Sequence, residues 1–158
     1  MIVPRYFEDL SVLHENTLPL RSYYIPASGE SVLPGDQPFR ESSGRLRMLS
    51  GCSWLFQYYK SIHELKEEFF LEGFMPDEGW RREQVPFCWQ MRGYDEHQYT
   101  NIRYPFPFDP PFVPQQNPCG ACLHHFEWHR DPEAPCSYLN FEGVDSCFYV
   151  VSAQQLLF

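Results

Sequence analysis

Apolar and polar positions alternate most clearly over residues 54–58, where Trp54, Phe56 and Tyr58 fall on one side and Leu55 and Gln57 on the other. A two-residue period of this kind predicts a strand with one aromatic face. The period changes at residue 61. Ser61 and Glu64 have the spacing of a capping box, in which the hydroxyl accepts from the Glu64 amide and the carboxylate returns to the Ser61 amide. Ile62, Leu65 and Phe69 then follow at helical spacing, and Gly73 can end the segment in a left-handed conformation. One short helix is expected there, with Glu67 and Glu68 on its solvated face. Alternation returns over 122–128, with Phe126 and Trp128 opposed to Glu127, and two further strands are expected at 138–141 and 147–150 around the turn at 142–145.

Between these segments the chain is irregular. Pro105, Pro107, Pro110, Pro111, Pro114 and Pro118 crowd residues 105–118, a density that no helix or central strand survives. Residues 1–45 mix short apolar groups with Pro, Gly and Ser and are read as an extended N-terminal arm.

Composition sharpens this picture. At 158 residues the chain is one domain, and 18% aromatic residues with 15 prolines favour short strands, so the fold class is all-β. A net charge of −9 excludes nucleic acid as a partner, because phosphate binding needs clustered Lys and Arg. Residues 1–10 show no basic region followed by an apolar run, and no apolar stretch has the roughly twenty residues of a membrane helix. No membrane contact and a cytoplasmic location are expected, with the six cysteines as free thiols.

One segment is far more specific. Val85-Pro86-Phe87-Cys88-Trp89-Gln90-Met91-Arg92-Gly93-Tyr94 leads to Tyr99-Thr100-Asn101-Ile102-Arg103-Tyr104-Pro105, then to Pro110-Pro111-Phe112-Val113-Pro114, Asn117-Pro118 with Gly120, and Phe141-Glu142-Gly143-Val144-Asp145-Ser146. In order and spacing these blocks resemble the β-galactosidases of glycoside hydrolase family two. Fainter echoes lie in His14-Glu15-Asn16 and around Trp54. The resemblance implies a jelly-roll-like β-sandwich, incomplete here, over residues 46–158. In that family such a domain packs on a catalytic barrel that carries two glutamates, and the parent enzyme is a homo-oligomer acting on β-galactosides. It also implies that Asn101 contacts the galactosyl hydroxyls. A carboxamide suits that task because it offers a donor and an acceptor on one rigid group. Trp89 is read as a packed indole rather than a sugar platform. No catalytic or metal-binding residue is expected in this chain, the family's magnesium and sodium sites lying outside it.

After Tyr149-Val150 the motif order lapses, and residues 151–158 are expected to be an atypical tail left by a truncation or frameshift. The carboxylate pairs Asp77-Glu78 and Asp95-Glu96 are adjacent along the chain and diverge, so they do not form a flanking pair. Without a catalytic barrel the chain alone is expected to be inactive. Two alternatives stand beside this reading. One is an inert product, or a partner for a barrel supplied by another chain. The other is a small zinc module built from Cys119 and Cys122 with His124, His125, His129 and Cys136.

Overall fold

The computed structural model describes residues 2–26, 44–65, 67–99, 101–152 and 155–157. It is an all-β architecture. Strands β1 (Ser53–Tyr59), β2 (Arg81–Gln84) and β3 (Cys119–Leu123) form an antiparallel sheet in the order β2-β1-β3, and β4 (Val150–Ser152) pairs with β5 (Gln155–Leu157) as a separate two-stranded sheet. Among the described residues no helix is long and apolar enough to cross a membrane.

The centre of the sheet is β1, and both of its faces are covered. Pairing sets Phe56 opposite Cys122 and Arg81, and Leu55 opposite Leu123 and Arg82. Successive side chains on a strand point to opposite faces, so Trp54, Phe56 and Tyr58 share one face with Gly120, Cys122 and Glu83. Leu55, Gln57 and Tyr59 share the other with Ala121 and Leu123. On this second face Tyr59, Trp80 and Ala121 are buried, and Leu65, Phe69 and Phe74 pack against them. Trp80 lies 5.9 Å from the Phe69 ring and 5.5 Å from the Phe74 ring. A strand covered on both sides needs apolar groups at even and odd positions alike, which is why Tyr59 is buried although it lies on the face opposite the aromatic stripe.

The predicted helix at 61–73 is instead two short 3₁₀ segments, Ile62–Glu64 and Glu67–Phe70. The cap forms one residue tighter than a capping box. Ser61 Oγ accepts from the His63 amide at 3.2 Å, Glu64 Oε2 accepts from the Lys60 amide at 3.2 Å, and Leu65 is already extended at ψ 122°. The break lets Leu65 and Phe69 both reach the Tyr59 face. Gly73 does adopt the left-handed conformation expected of it, at φ +81°. The side chains of Glu67 and Glu68 lie outside the described residues.

Three other boundaries differ from the sequence pattern. β3 covers 119–123 rather than 122–128, residues 138–141 form no strand, and the strand expected over 147–150 begins only at Val150. A strand persists where a neighbour can complete its hydrogen bonds, and residues 138–149 have none alongside among the described residues. β2 was not signalled at all, being Arg-Arg-Glu-Gln with no apolar alternation.

In the described part of the N-terminal arm, a single 3₁₀ turn at Tyr6–Glu8 lies close to the body of the chain. Val3 is buried, the Tyr149 hydroxyl donates to the Pro4 carbonyl at 2.8 Å, and Glu8 Oε1 accepts from the Val113 amide at 3.2 Å. Arg45 pairs with Asp131 and Glu133, and Arg47 donates to the Glu127 carbonyl, so residues 45–47 are laced to 127–133.

Candidate functional site

The aromatic face of β1 is sealed by residues 85–95, and that seal is the base of the candidate site. Gly51 N–H donates to the Val85 carbonyl at 2.8 Å and Val85 N–H to the Cys52 carbonyl at 3.1 Å, prolonging the β1–β2 pairing by one residue. The chain then turns through a 3₁₀ segment, Gln90–Arg92, which ends at Gly93 with φ +78°. That left-handed position strains a side-chain-bearing residue, and glycine takes it without cost. The turn brings the Tyr94 amide back to the Trp89 carbonyl at 3.1 Å and stacks the motif aromatics on the strand. Phe56 meets Phe87 at 5.0 Å, Tyr94 at 4.9 Å and Trp89 at 6.3 Å, and Tyr58 meets Trp89 at 5.7 Å. Trp89 is therefore a packed indole. Its Nε1 is buried without a hydrogen-bond partner among the described residues.

Polar groups close the rim of this cluster. The Tyr94 hydroxyl donates to Glu83 Oε1 at 2.6 Å, and Arg92 Nε lies 3.5 Å from Glu83 Oε2. Burial, with help from the Glu83 carboxylate, pushes the Tyr94 phenol up to about 12, and burial likewise pushes Tyr149 up to about 12. Both phenols are held neutral by the fold, whereas an unfolded tyrosine ionises near pH 10. Their contribution to stability is present below about pH 10 and is lost as the pH rises through about 12. In a spectrophotometric titration Tyr94 and Tyr149 should therefore ionise late, together with loss of tertiary structure. Tyr94→Phe and Tyr149→Phe should each remove one late phenol. Ionisation of all ten tyrosines near pH 10 would contradict the packing described here.

From this anchor the chain leaves the sheet as a loop over residues 96–112 and is tied down again where Val113 meets Glu8. The loop is unusually apolar for its exposure. Tyr99, Ile102, Tyr104, Phe108 and Phe112 are all exposed, Phe108 at 96%. Asn101 lies among them, exposed, with Nδ2 donating to the Tyr99 hydroxyl at 3.1 Å. Sequence reasoning placed Asn101 on a loop but missed the Tyr99 contact and the Glu83–Tyr94–Arg92 group; the only hint of the latter was a charged run, Arg81-Arg82-Glu83, beside the aromatic motif.

The zinc arrangement fails on geometry. Cys119 and Cys122 are three residues apart on β3 and so point to opposite faces, with Cys119 opposite Tyr59 and Cys122 opposite Phe56. His124 is stacked between Trp54, at 4.9 Å, and Phe126, at 6.1 Å. Burial, with His125 and Arg47 nearby, holds its pKa below the ordinary imidazole value. Among the described residues no three His, Cys, Asp or Glu side chains come together as a metal site. All six cysteines are free thiols, and burial pushes Cys119 up to about 11.

The chain is thus an all-β module whose sheet is sealed by an aromatic turn, with an exposed, apolar loop tethered at Val113. The chain belongs to the glycosyl hydrolases of family 2, its residues 46–158 matching the model of that family's sugar binding domain. The match runs through residues 151–158, the segment that the motif order alone set apart as an atypical tail. The β-galactosidase of Actinobacillus pleuropneumoniae is 43% identical over 158 residues, covering 99% of this chain and 15% of that enzyme. That of Staphylococcus xylosus is 39% identical over 153 residues, covering 95% and 14%. That of Pectobacterium atrosepticum is 39% identical over 112 residues, covering 70% and 10%. The chain thus spans between 10% and 15% of the length of these relatives.

Proposed function

We propose that this chain is the sugar-binding portion of a cytoplasmic, homo-oligomeric β-galactosidase that hydrolyses terminal β-D-galactosides such as lactose, and that its 96–112 loop carries Asn101 to the substrate. The observation that carries this reading is the tethered loop itself. It is fixed at Tyr94 and at Val113, and between them it exposes a carboxamide flanked by aromatic and aliphatic groups. Exposed apolar surface of this kind marks an interaction site. Its partner here is a catalytic domain in the longer enzyme. That domain supplies two carboxylates about 5 Å apart for a retaining displacement and holds any magnesium and sodium. No step of the reaction passes through a residue of this chain. Its part is to close the sugar pocket and to offer hydrogen bonds to galactosyl hydroxyls.

The test uses the chain in two forms. Purified alone, it should leave a nitrophenyl β-galactoside intact. Joined to the remainder of the Actinobacillus pleuropneumoniae enzyme in place of the aligned residues, it should restore hydrolysis. In that hybrid Asn101→Ala should lower kcat/KM by about ten- to a hundredfold. Leaving a sugar hydroxyl unpaired costs about 1–3 kcal/mol, and about 1.4 kcal/mol is a factor of ten. Thermal stability should be unchanged, because an exposed side chain leaves no cavity. Lowered stability with unaltered kinetics would make Asn101 a turn residue and remove it from the site.

A further inference from the structure

We infer that Tyr99 is a positioning residue for Asn101, holding its carboxamide so that Oδ1, and not the NH₂ group, is presented to a sugar hydroxyl. The inference rests on the reading of Asn101 proposed above. It starts from one contact, Nδ2 to the Tyr99 hydroxyl at 3.1 Å between side chains two residues apart. The terminal torsion of an asparagine is broad and roughly two-fold, so a free Asn101 would offer a substrate either end of the amide. In the structure it is the nitrogen end that makes this contact, which selects one of the two arrangements. The amide nitrogen can only donate and the phenol oxygen accepts from it, so the carbonyl oxygen is turned to the opposite side of the group with its lone pairs free.

The chemistry of the ligand follows. An outward Oδ1 accepts, and the substrate group facing it must donate. A sugar hydroxyl meets that requirement, whereas an O-methyl ether or a deoxy position does not. The Tyr99 ring supports this role without being part of a core. It is 70% exposed and can be altered at its hydroxyl with little effect on packing. Tyr104, on the far side of Asn101, makes its ring contact with Phe106 at 6.3 Å instead, which leaves Tyr99 as the aromatic bonded to the carboxamide.

Two measurements separate this inference from the reading beneath it. In the full chain, the Asn101 side-chain amide protons should exchange more slowly with solvent than those of an exposed asparagine, and Tyr99→Phe should abolish the difference. Exchange that is unaffected by Tyr99→Phe overturns the inference and leaves the role of Asn101 untouched. In the active hybrid, Tyr99→Phe should raise KM for a nitrophenyl β-galactoside by about two- to tenfold with kcat little changed, the cost of ordering one side chain on binding. Asn101→Asp should lose less than Asn101→Leu, because a carboxylate can accept from the Tyr99 hydroxyl and still offer an acceptor to the sugar. That advantage should vanish in the Tyr99→Phe background. An Asn101→Asp variant as poor as Asn101→Leu with Tyr99 intact would mean that the NH₂ end faces the substrate and would overturn the inference. Normal kinetics in Asn101→Ala would instead remove the underlying reading.

Discussion

Phe56→Ala should abolish cooperative folding of the isolated chain at room temperature. Among the described residues Phe56 is the one large side chain that is fully buried, at 1% exposure. Its ring is the hub on which Phe87, Trp89 and Tyr94 converge. Deleting a buried phenyl ring removes its transfer free energy and leaves a cavity, together about 3–5 kcal/mol. Whole domains are stable by about 5–15 kcal/mol, so the loss is a large share of what a three-stranded sheet can hold. Near-ultraviolet circular dichroism and thermal unfolding would read the effect directly. A sharp transition within a few degrees of the parent chain would show that the 85–95 turn does not depend on this ring.

The second large effect is expected at Gly120, for the opposite reason. A Cβ placed there would sit 2.5 Å from Phe56 Cε2 and 2.8 Å from Trp89 Cζ3, closer than real carbon contacts allow. Neither ring can retreat easily, since Phe56 is buried and Trp89 is wedged between Phe56 and Tyr58. Gly120→Ala should destabilise the chain by about 1–3 kcal/mol through overpacking. The two sites share one space, so their effects should not add. Phe56→Leu combined with Gly120→Ala should be less damaging than the sum of the single changes, measured by denaturant midpoints at constant slope. Strict additivity would place the added methyl elsewhere than against the Phe56 ring.

These two residues also show what the sequence could reveal. The alternation of Trp54, Phe56 and Tyr58 identified β1, although it marks only one of the two faces that are covered, and Tyr59 on the other is buried as well. β2 has no such alternation. Arg81 to Gln84 are a strand because β1 offers a partner, and their charges suit an edge. β3 was displaced toward Phe126 and Trp128 because those rings dominate the pattern, while the paired stretch is centred on small residues, with Gly120 fitted beneath Phe56 and Trp89. The 61–73 segment had the periodicity of a helix, but the need to bring both Leu65 and Phe69 onto the Tyr59 face broke it into two turns. Asn101 was reachable only through the motif around it. A bond between side chains two residues apart, such as that to Tyr99, leaves no trace in any period.

The two margins of the sheet are chemically unlike. β2 ends it with Arg81, Arg82 and Glu83, charged groups on both faces whose solvation resists another strand. β3 ends it with Cys119, Gly120, Ala121, Cys122 and Leu123, none of them charged. Of the two margins, the one along β3 presents no charged side chain to a further strand, so it is the margin where pairing with another strand meets the least resistance. Lysine introduced along β3 should accordingly hinder association of the isolated chain, while neutralising Arg81 and Arg82 should open a second front for it.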